Sequence, residues 1–141
     1  MKLCRIGELG KEKPAIIDKD GSYKDLSSVI SDLNPESLNL ETLEKIKKIN
    51  IKDLPNLDAN SRIGACVKNP SKFLGIGLNF KDHATEQNLP IPKEPIIFSK
   101  FTNCIVGPND NIEIPKNSNH TDWEVEIGFV IGKKAKYVEE K

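Results

Sequence analysis

Apolar and polar residues alternate along the first 25 positions of the chain. The stretches "KLCRIGE" and "PAIIDKDG" have the two-residue period of short β-strands. Asp20 and Gly21 form a hairpin signal that leads into "SYKDLS". The pattern therefore predicts that the chain opens with a small β-meander.

A helical spacing replaces this alternation in the next part of the chain. Apolar residues recur every three positions, at Leu40, Leu43, Ile46 and Ile49. Asn39 precedes them and is a good N-cap, because its side-chain oxygen can accept a hydrogen bond from a free N–H of the first turn. We predict an amphipathic helix through "LETLEKIKKI" that covers the meander.

Strand patterns dominate the rest of the chain. The stretch "KDLPNLDANSR" has no periodicity, which indicates a boundary between a small N-terminal domain, residues 1–62, and a second domain, residues 63–141. Five strands are predicted after it, at "RIGACV", "KFLGIGL", "PIIFSK", "NIEIP" and "DWEVEIGFVIG". The predicted class is α+β. The closing residues "KKAKYVEEK" follow the strongest strand pattern directly, as if the chain were cut there.

Charge and composition narrow the class of protein. The chain has 21 basic and 21 acidic residues and a formal net charge of zero, so we expect neither a nucleic-acid nor a membrane-surface partner. Its apolar runs are too short for a transmembrane span, and the first ten residues lack the apolar stretch of a signal peptide. These features predict a cytoplasmic protein.

Two acidic residues stand out within "DWEVEIGFVIG". Along a strand Glu124 and Glu126 would face the same side, about 7 Å apart, with Val125 on the other side. Neighbouring carboxylates repel each other unless a cation lies between them, and Mg²⁺ or Mn²⁺ accepts such oxygen ligands. The alternative is a solvent-facing strand that carries two acids, and the spacing alone does not decide.

The stretch "GLNFKDHATEQNLP" contains the second candidate group. His83 and Glu86 are three residues apart, so on a helix they share a face. Asn79 is a candidate N-cap and Asp82 would lie in the first turn. A glutamate bonded to one imidazole nitrogen makes the other nitrogen a better base. A surface pair without function is the alternative.

The spacing of Gly75 and Gly77 is similar to part of a dinucleotide-binding fingerprint, but the rest of that fingerprint is missing. Phe80 stands where the third glycine of that fingerprint belongs, and no βαβ pattern follows. We predict instead that close backbone packing requires these glycines.

Four stretches together resemble the fumarylacetoacetate hydrolase family. They are "GLNFKDHATE", "PIIFSK", "GPNDNIEIP" and "DWEVEIGFVIGKKAKYV", in the family's order and spacing. The first 60 or so residues also resemble the small N-terminal domain of bacterial members, including those labelled ureidoglycolate lyase or diketo-deoxy-sugar-acid hydrolase. The resemblance implies that the second domain is the first part of a mixed β-sandwich roll.

The resemblance also implies roles for particular residues. Glu124 and Glu126 would be two of three carboxylate ligands of Mg²⁺ or Mn²⁺, and an aspartate beyond Lys141 would be the third. His83 and Glu86 would be the water-activating dyad on a mobile lid. Lys100 would lie near the substrate, although Phe101 follows it where many members have proline or a small residue.

The family resemblance implies a reaction class more firmly than a substrate. We expect metal-dependent hydrolysis of a carbon–carbon bond in a small-molecule oxo acid, a 2,4-dioxo acid of the acylpyruvate or diketo-deoxy-sugar type, in a protein that is a homodimer at full length. Isomerase, decarboxylase or lyase activity on the same scaffold is one alternative. A catalytically incomplete binding module is another, and we expect weak or missing activity if the 141 residues are the whole chain.

Overall fold

The computed structural model describes residues 1–140 of the 141-residue chain. It divides into two compact units: unit 1 is Met1–Lys68 together with the residues from Gly107 onward, and unit 2 is Asn69–Val106. The strands are β1 (Lys2–Ile6), β2 (Lys13–Ile17), β3 (Tyr23–Asp25), β4 (Phe73–Gly77) and β5 (Ile96–Lys100). The α-helices are α1 (Leu40–Lys47) and α2 (Lys81–Glu86), and short 3₁₀ helices span Ile51–Asp53 and Thr102–Cys104.

Unit 1 contains the predicted meander. Strands β1, β2 and β3 pair antiparallel in sequence order, with Cys4 opposite Ala15 and Ile16 opposite Lys24. Gly21 makes the turn between β2 and β3 with a φ of +86°, a conformation that glycine adopts without steric cost. The meander and its hairpin turn are therefore confirmed.

Helix α1 packs on this sheet as predicted. The Asn39 side chain accepts a hydrogen bond from the backbone N–H of Thr42, so the predicted N-cap is confirmed. Ile46 is buried in a cluster with Ile16 of β2 and with Leu26, a cluster completed by Ile30 and Leu33. Because side chains alternate along the strands, a second apolar cluster of Cys4, Ile6 and Ala15 lies on the sheet's other face.

Unit 2 is built on an antiparallel pair of strands. β4 pairs with β5 so that Phe73 lies opposite Lys100 and Gly75 opposite Phe98. A Cβ atom on Gly75 would lie 2.5 Å from the Phe98 ring, so the ring rests directly on the glycine backbone. The expectation that close packing requires Gly75 is confirmed.

Three of the predicted strands are not formed. In "RIGACV" only Ile63 makes an isolated bridge, to Ile6, while "NIEIP" and "DWEVEIGFVIG" have no regular structure. A strand exists only where a neighbour takes up its backbone hydrogen bonds, and alternation of side chains cannot supply that neighbour. The apolar side chains of this region are exposed instead, as in Val125 and Ile127.

The mixture of strands with few helices agrees with the α+β class, whereas the β-sandwich roll stays a prediction. The division into domains at residue 62 also stays a prediction. Within residues 1–140, no helix is long and apolar enough to cross a membrane.

Candidate functional site

Helix α2 carries the predicted dyad. It begins at Lys81, with Phe80 at the N-cap position and no side-chain hydrogen bond at the cap. The prediction that Asn79 caps this helix is therefore wrong by one position. Asp82 does lie in the first turn, where its negative charge is favourable beside the free N–H groups.

His83 and Glu86 are both exposed on this helix. Ala84, between them, is the buried residue of α2, so the helix rests on its alanine side and leaves the polar residues in solvent. Three-residue spacing places the imidazole and the carboxylate on neighbouring positions of the helix surface. Within residues 1–140, no hydrogen bond or ion pair joins them. The two side chains thus share one helix surface without a direct bond.

Lys100 ends β5 in the same unit as the dyad. Its ammonium group lies 5.8 Å from the centre of the Phe98 ring and 5.9 Å from that of Phe73. A cation near an aromatic face is attracted by the electrons of the ring. The two phenylalanines thus hold an exposed positive charge over the face of the β4–β5 pair on which Gly75 lies.

These aromatic partners of Lys100 were missed from the sequence. The two-residue period of "PIIFSK" already places Phe98 and Lys100 on the same face of a strand. The position of Phe73 opposite Lys100 depends on the strand register, which the sequence does not reveal.

Glu124 and Glu126 lie in unit 1, in the segment that forms no strand, and both are exposed. The argument that they share one side of a strand is therefore wrong for this structure. As carboxylates they are the kind of ligand that Mg²⁺ and Mn²⁺ bind. Within residues 1–140, no three histidine, cysteine, aspartate or glutamate side chains are grouped to hold a metal ion. The donor type fits the predicted metal, and the predicted ligand roles stay a prediction.

Two groups of predicted site residues thus belong to different units. His83, Glu86 and Lys100 are in unit 2, and the two glutamates are in unit 1. A common site formed by the two groups stays a prediction.

Known proteins resemble this chain over both units. A family model described as "Fumarylacetoacetate (FAA) hydrolase C-terminal" matches residues 72–141. Proteins of Burkholderia lata and Burkholderia ambifaria, each named a "putative hydrolase", are 51% identical to it over 140 residues. The matched region is 99% of this chain and 50% of each relative, so the chain spans about half the length of the curated relatives it matches.

A solved structure is similar as well. The crystal structure of a "putative HpcE protein" from Mycobacterium smegmatis matches with a TM-score of 0.63 and 25% sequence identity. The match covers 79% of this chain and 40% of the solved one. Together with the family model and the hydrolase relatives, this similarity shows that the chain belongs to the fumarylacetoacetate hydrolase family.

Proposed function

We propose that the intact protein hydrolyses a carbon–carbon bond in a 2,4-dioxo acid of the acylpyruvate or diketo-deoxy-sugar type, with Mg²⁺ or Mn²⁺ as cofactor. The observation that carries the proposal is the placement of His83 and Glu86 three residues apart on the exposed surface of α2. The family supports a hydrolase-type or isomerase-type scaffold, and the curated relatives carry the name "putative hydrolase".

In this proposal His83 is the general base that takes a proton from the attacking water. An imidazole changes its protonation near neutral pH, which suits it for moving a proton under physiological conditions. Glu86 accepts a hydrogen bond from the second ring nitrogen and so fixes the tautomer. That bond forms when the lid closes on substrate, since catalytic hydrogen bonds are often unmade in the free enzyme.

Lys100 contributes charge in the same unit. Its side chain is exposed, and its ammonium group lies 5.8 and 5.9 Å from the centres of two aromatic rings. Because the proposed substrate is an acid, this exposed cation attracts it and helps to orient it.

Glu124 and Glu126 would hold the divalent ion together with a third carboxylate. When bound, the ion supplies Lewis-acid stabilisation of the negative charge that develops on the oxo-acid end. In this arrangement the two glutamates would bind the metal ion, and His83 would accept the proton from water.

The proposal is tested by substitution in the intact protein, with an acylpyruvate as substrate. We expect His83→Ala to lower kcat by about 100-fold or more, the usual contribution of a positioned base, and to leave Mg²⁺ affinity nearly unchanged. Lys81→Ala, on the same helix and also exposed, is the matched control and should keep its turnover. Unchanged turnover in His83→Ala would rule out the assigned role.

A second pair of variants tests the metal ligands. Glu124→Gln should weaken Mg²⁺ binding measured by calorimetry, because an amide replaces a charged ligand. Glu113→Gln removes an exposed acid from the same segment and should bind Mg²⁺ like the unmodified protein. Equal affinity in both variants would remove Glu124 from the site. Product analysis in the same assays separates hydrolysis from isomerisation and decarboxylation.

A further inference from the structure

Six charged side chains of alternating sign form a chain of ion pairs within unit 1. Each contact between neighbours is between 2.6 and 3.2 Å long. The order along the chain of pairs is Lys68, Asp32, Arg5, Glu12, Arg62 and Asp110. We call this set the charge chain. It joins parts of the sequence that are up to about 100 residues apart, so it is a tertiary feature and not a local one.

The middle of the charge chain is buried. The side chains of Arg5, Asp32 and Glu12 are 5%, 5% and 4% exposed. Charged groups at such depth require partners, because an unpaired charge loses its hydration without compensation. Arg5 meets this requirement with two bonds to Asp32, of 2.7 and 3.1 Å, and one of 3.1 Å to Glu12.

The outer end of the charge chain closes a turn. Asp110 accepts a hydrogen bond from the backbone N–H of Gly107 at 2.7 Å, and its own N–H donates to the Gly107 carbonyl at 3.1 Å. The same carboxylate receives two bonds from the Arg62 guanidinium, of 2.7 and 2.6 Å. This two-point geometry fixes direction as well as distance.

The turn is also packed against the backbone beside β1. A Cβ atom on Gly107 would lie 2.2 Å from the carbonyl oxygen of Ile63, so no larger residue fits there without movement. Ile63 is bridged to Ile6 at the end of β1, and the Gly7 N–H donates to the Arg62 carbonyl at 2.8 Å. The turn thus rests on backbone that is itself bonded to the sheet.

We propose that Arg62 is a clamp that holds the Gly107–Asp110 turn against the end of β1, and that the buried carboxylate of Glu12 sets the clamp in position. Glu12 does so through a bond of 2.8 Å to the guanidinium nitrogen that also approaches the Gly7 carbonyl. The clamp needs neither metal nor substrate. It anchors the start of the segment that carries Glu124 and Glu126, so the N-terminal sheet holds one end of that segment.

Hydrogen exchange of the intact protein, followed by mass spectrometry, tests the clamp. Asp110→Asn keeps the shape of the side chain and removes the charge. We expect the amides of Gly107 and of position 110 to exchange about tenfold faster, the size of effect typical for loss of a charged hydrogen bond. The amides of β2 should exchange at the unmodified rate.

Two further variants complete the test. Glu12→Gln does not touch the turn, yet it should speed exchange there by a smaller factor, because the neutral amide has one acceptor oxygen in place of two and binds Arg62 more weakly than the carboxylate does. Lys13→Gln removes a cation from an ion pair with Asp25 in the same unit and should leave the turn unchanged. Unchanged exchange at the turn in Asp110→Asn, or an equal rise in β2, would overturn the clamp. Unchanged exchange in Glu12→Gln would overturn the role of Glu12.

Discussion

Asp32, which follows β3, is the most heavily bonded carboxylate of the charge chain. Its oxygens accept two bonds from Arg5 and one from the backbone N–H of Leu33, and Lys68 lies 3.2 Å away. Neither Asp32 nor Arg5 is accessible to water in any substantial way. Each therefore depends on the other for the stabilisation that water would otherwise supply.

We expect Asp32→Ala to destabilise the intact protein by about 3 kcal/mol, the lower end of the range for breaking a buried ion pair, because Arg5 keeps its bond to Glu12. Urea unfolding measures the change. Glu44→Gln is the control, because its pair with Lys47 is exposed and such pairs contribute about 0–1 kcal/mol. Equal unfolding midpoints for the two variants would contradict the prediction.

The role of a single residue can be predicted from the sequence where it depends on a local bond. Asn39 was found because a cap depends on a local bond that the sequence displays. Asn79 was misplaced, because the helix begins at Lys81 and Phe80 takes the N-cap position. Leu78, between β4 and this helix, has a φ of +49°. Leucine seldom adopts this left-handed conformation, so the sequence did not indicate it.

Among the elements, α1 is the clearest case of agreement between pattern and structure. Its apolar spacing, its N-cap and the basic residues Lys45 and Lys47 in its last turn all favour the same helix. Helices of this kind are predictable because all their backbone bonds are local. The strand predicted at "DWEVEIGFVIG" failed for the opposite reason, because its bonds would have to come from a distant partner.

The contribution of the cap can be measured. Asn39→Ala should lower the stability of the intact protein by about 1 kcal/mol, because the N–H of Thr42 loses its acceptor. Thermal unfolding followed by circular dichroism is the measurement. Asn39→Asp retains an acceptor oxygen and should remain close to the unmodified protein. A larger loss in Asn39→Asp than in Asn39→Ala would show that the cap bond is not the cause.

At the scale of the whole molecule, the charge chain makes stability depend on pH. Burial raises the pKa of Asp32 and of Glu12, but hydrogen bonds and the attraction of nearby cations together outweigh it, so both pKa values are lowered. The leading hydrogen bond comes from Arg5 for Asp32 and from Arg62 for Glu12. The hydrogen bonds from Arg62 lower the pKa of Asp110. These carboxyl groups bind protons less readily in the folded protein than in the unfolded chain. Their stabilisation of the fold is therefore complete above the pKa values of the unfolded chain, about 4.

We therefore expect the free energy of unfolding to fall as the pH drops below about 4 and passes through the lowered folded-state values. Urea unfolding at a series of pH values between neutral and acid measures this. Asp110→Asn should show a shallower fall, because one of the three carboxylates no longer titrates. A free energy of unfolding that stays constant through the acid range would contradict the assignment.

For the candidate site too, local features could be predicted from the sequence and long-range features could not. The helical placement of His83 and Glu86 followed from their spacing, because three residues make almost one turn. A common site of this pair with Glu124 and Glu126 could not be predicted from spacing. Such a site depends on long-range pairing, which short sequence patterns do not encode. Family resemblance, rather than spacing, supplied the link between them.

The alternating positive and negative charges from Lys68 to Asp110 also limit which substitutions this sequence can accept. Reversing one inner charge would set three like charges side by side, and exchanging Arg5 with Glu12 would still leave like charges in contact at both ends of that pair. The alternation is restored only if all six signs reverse together. The effect of a substitution at a buried position of the charge chain thus depends on the residues beside it. We expect these positions to change together, if at all, in proteins that descend from this sequence.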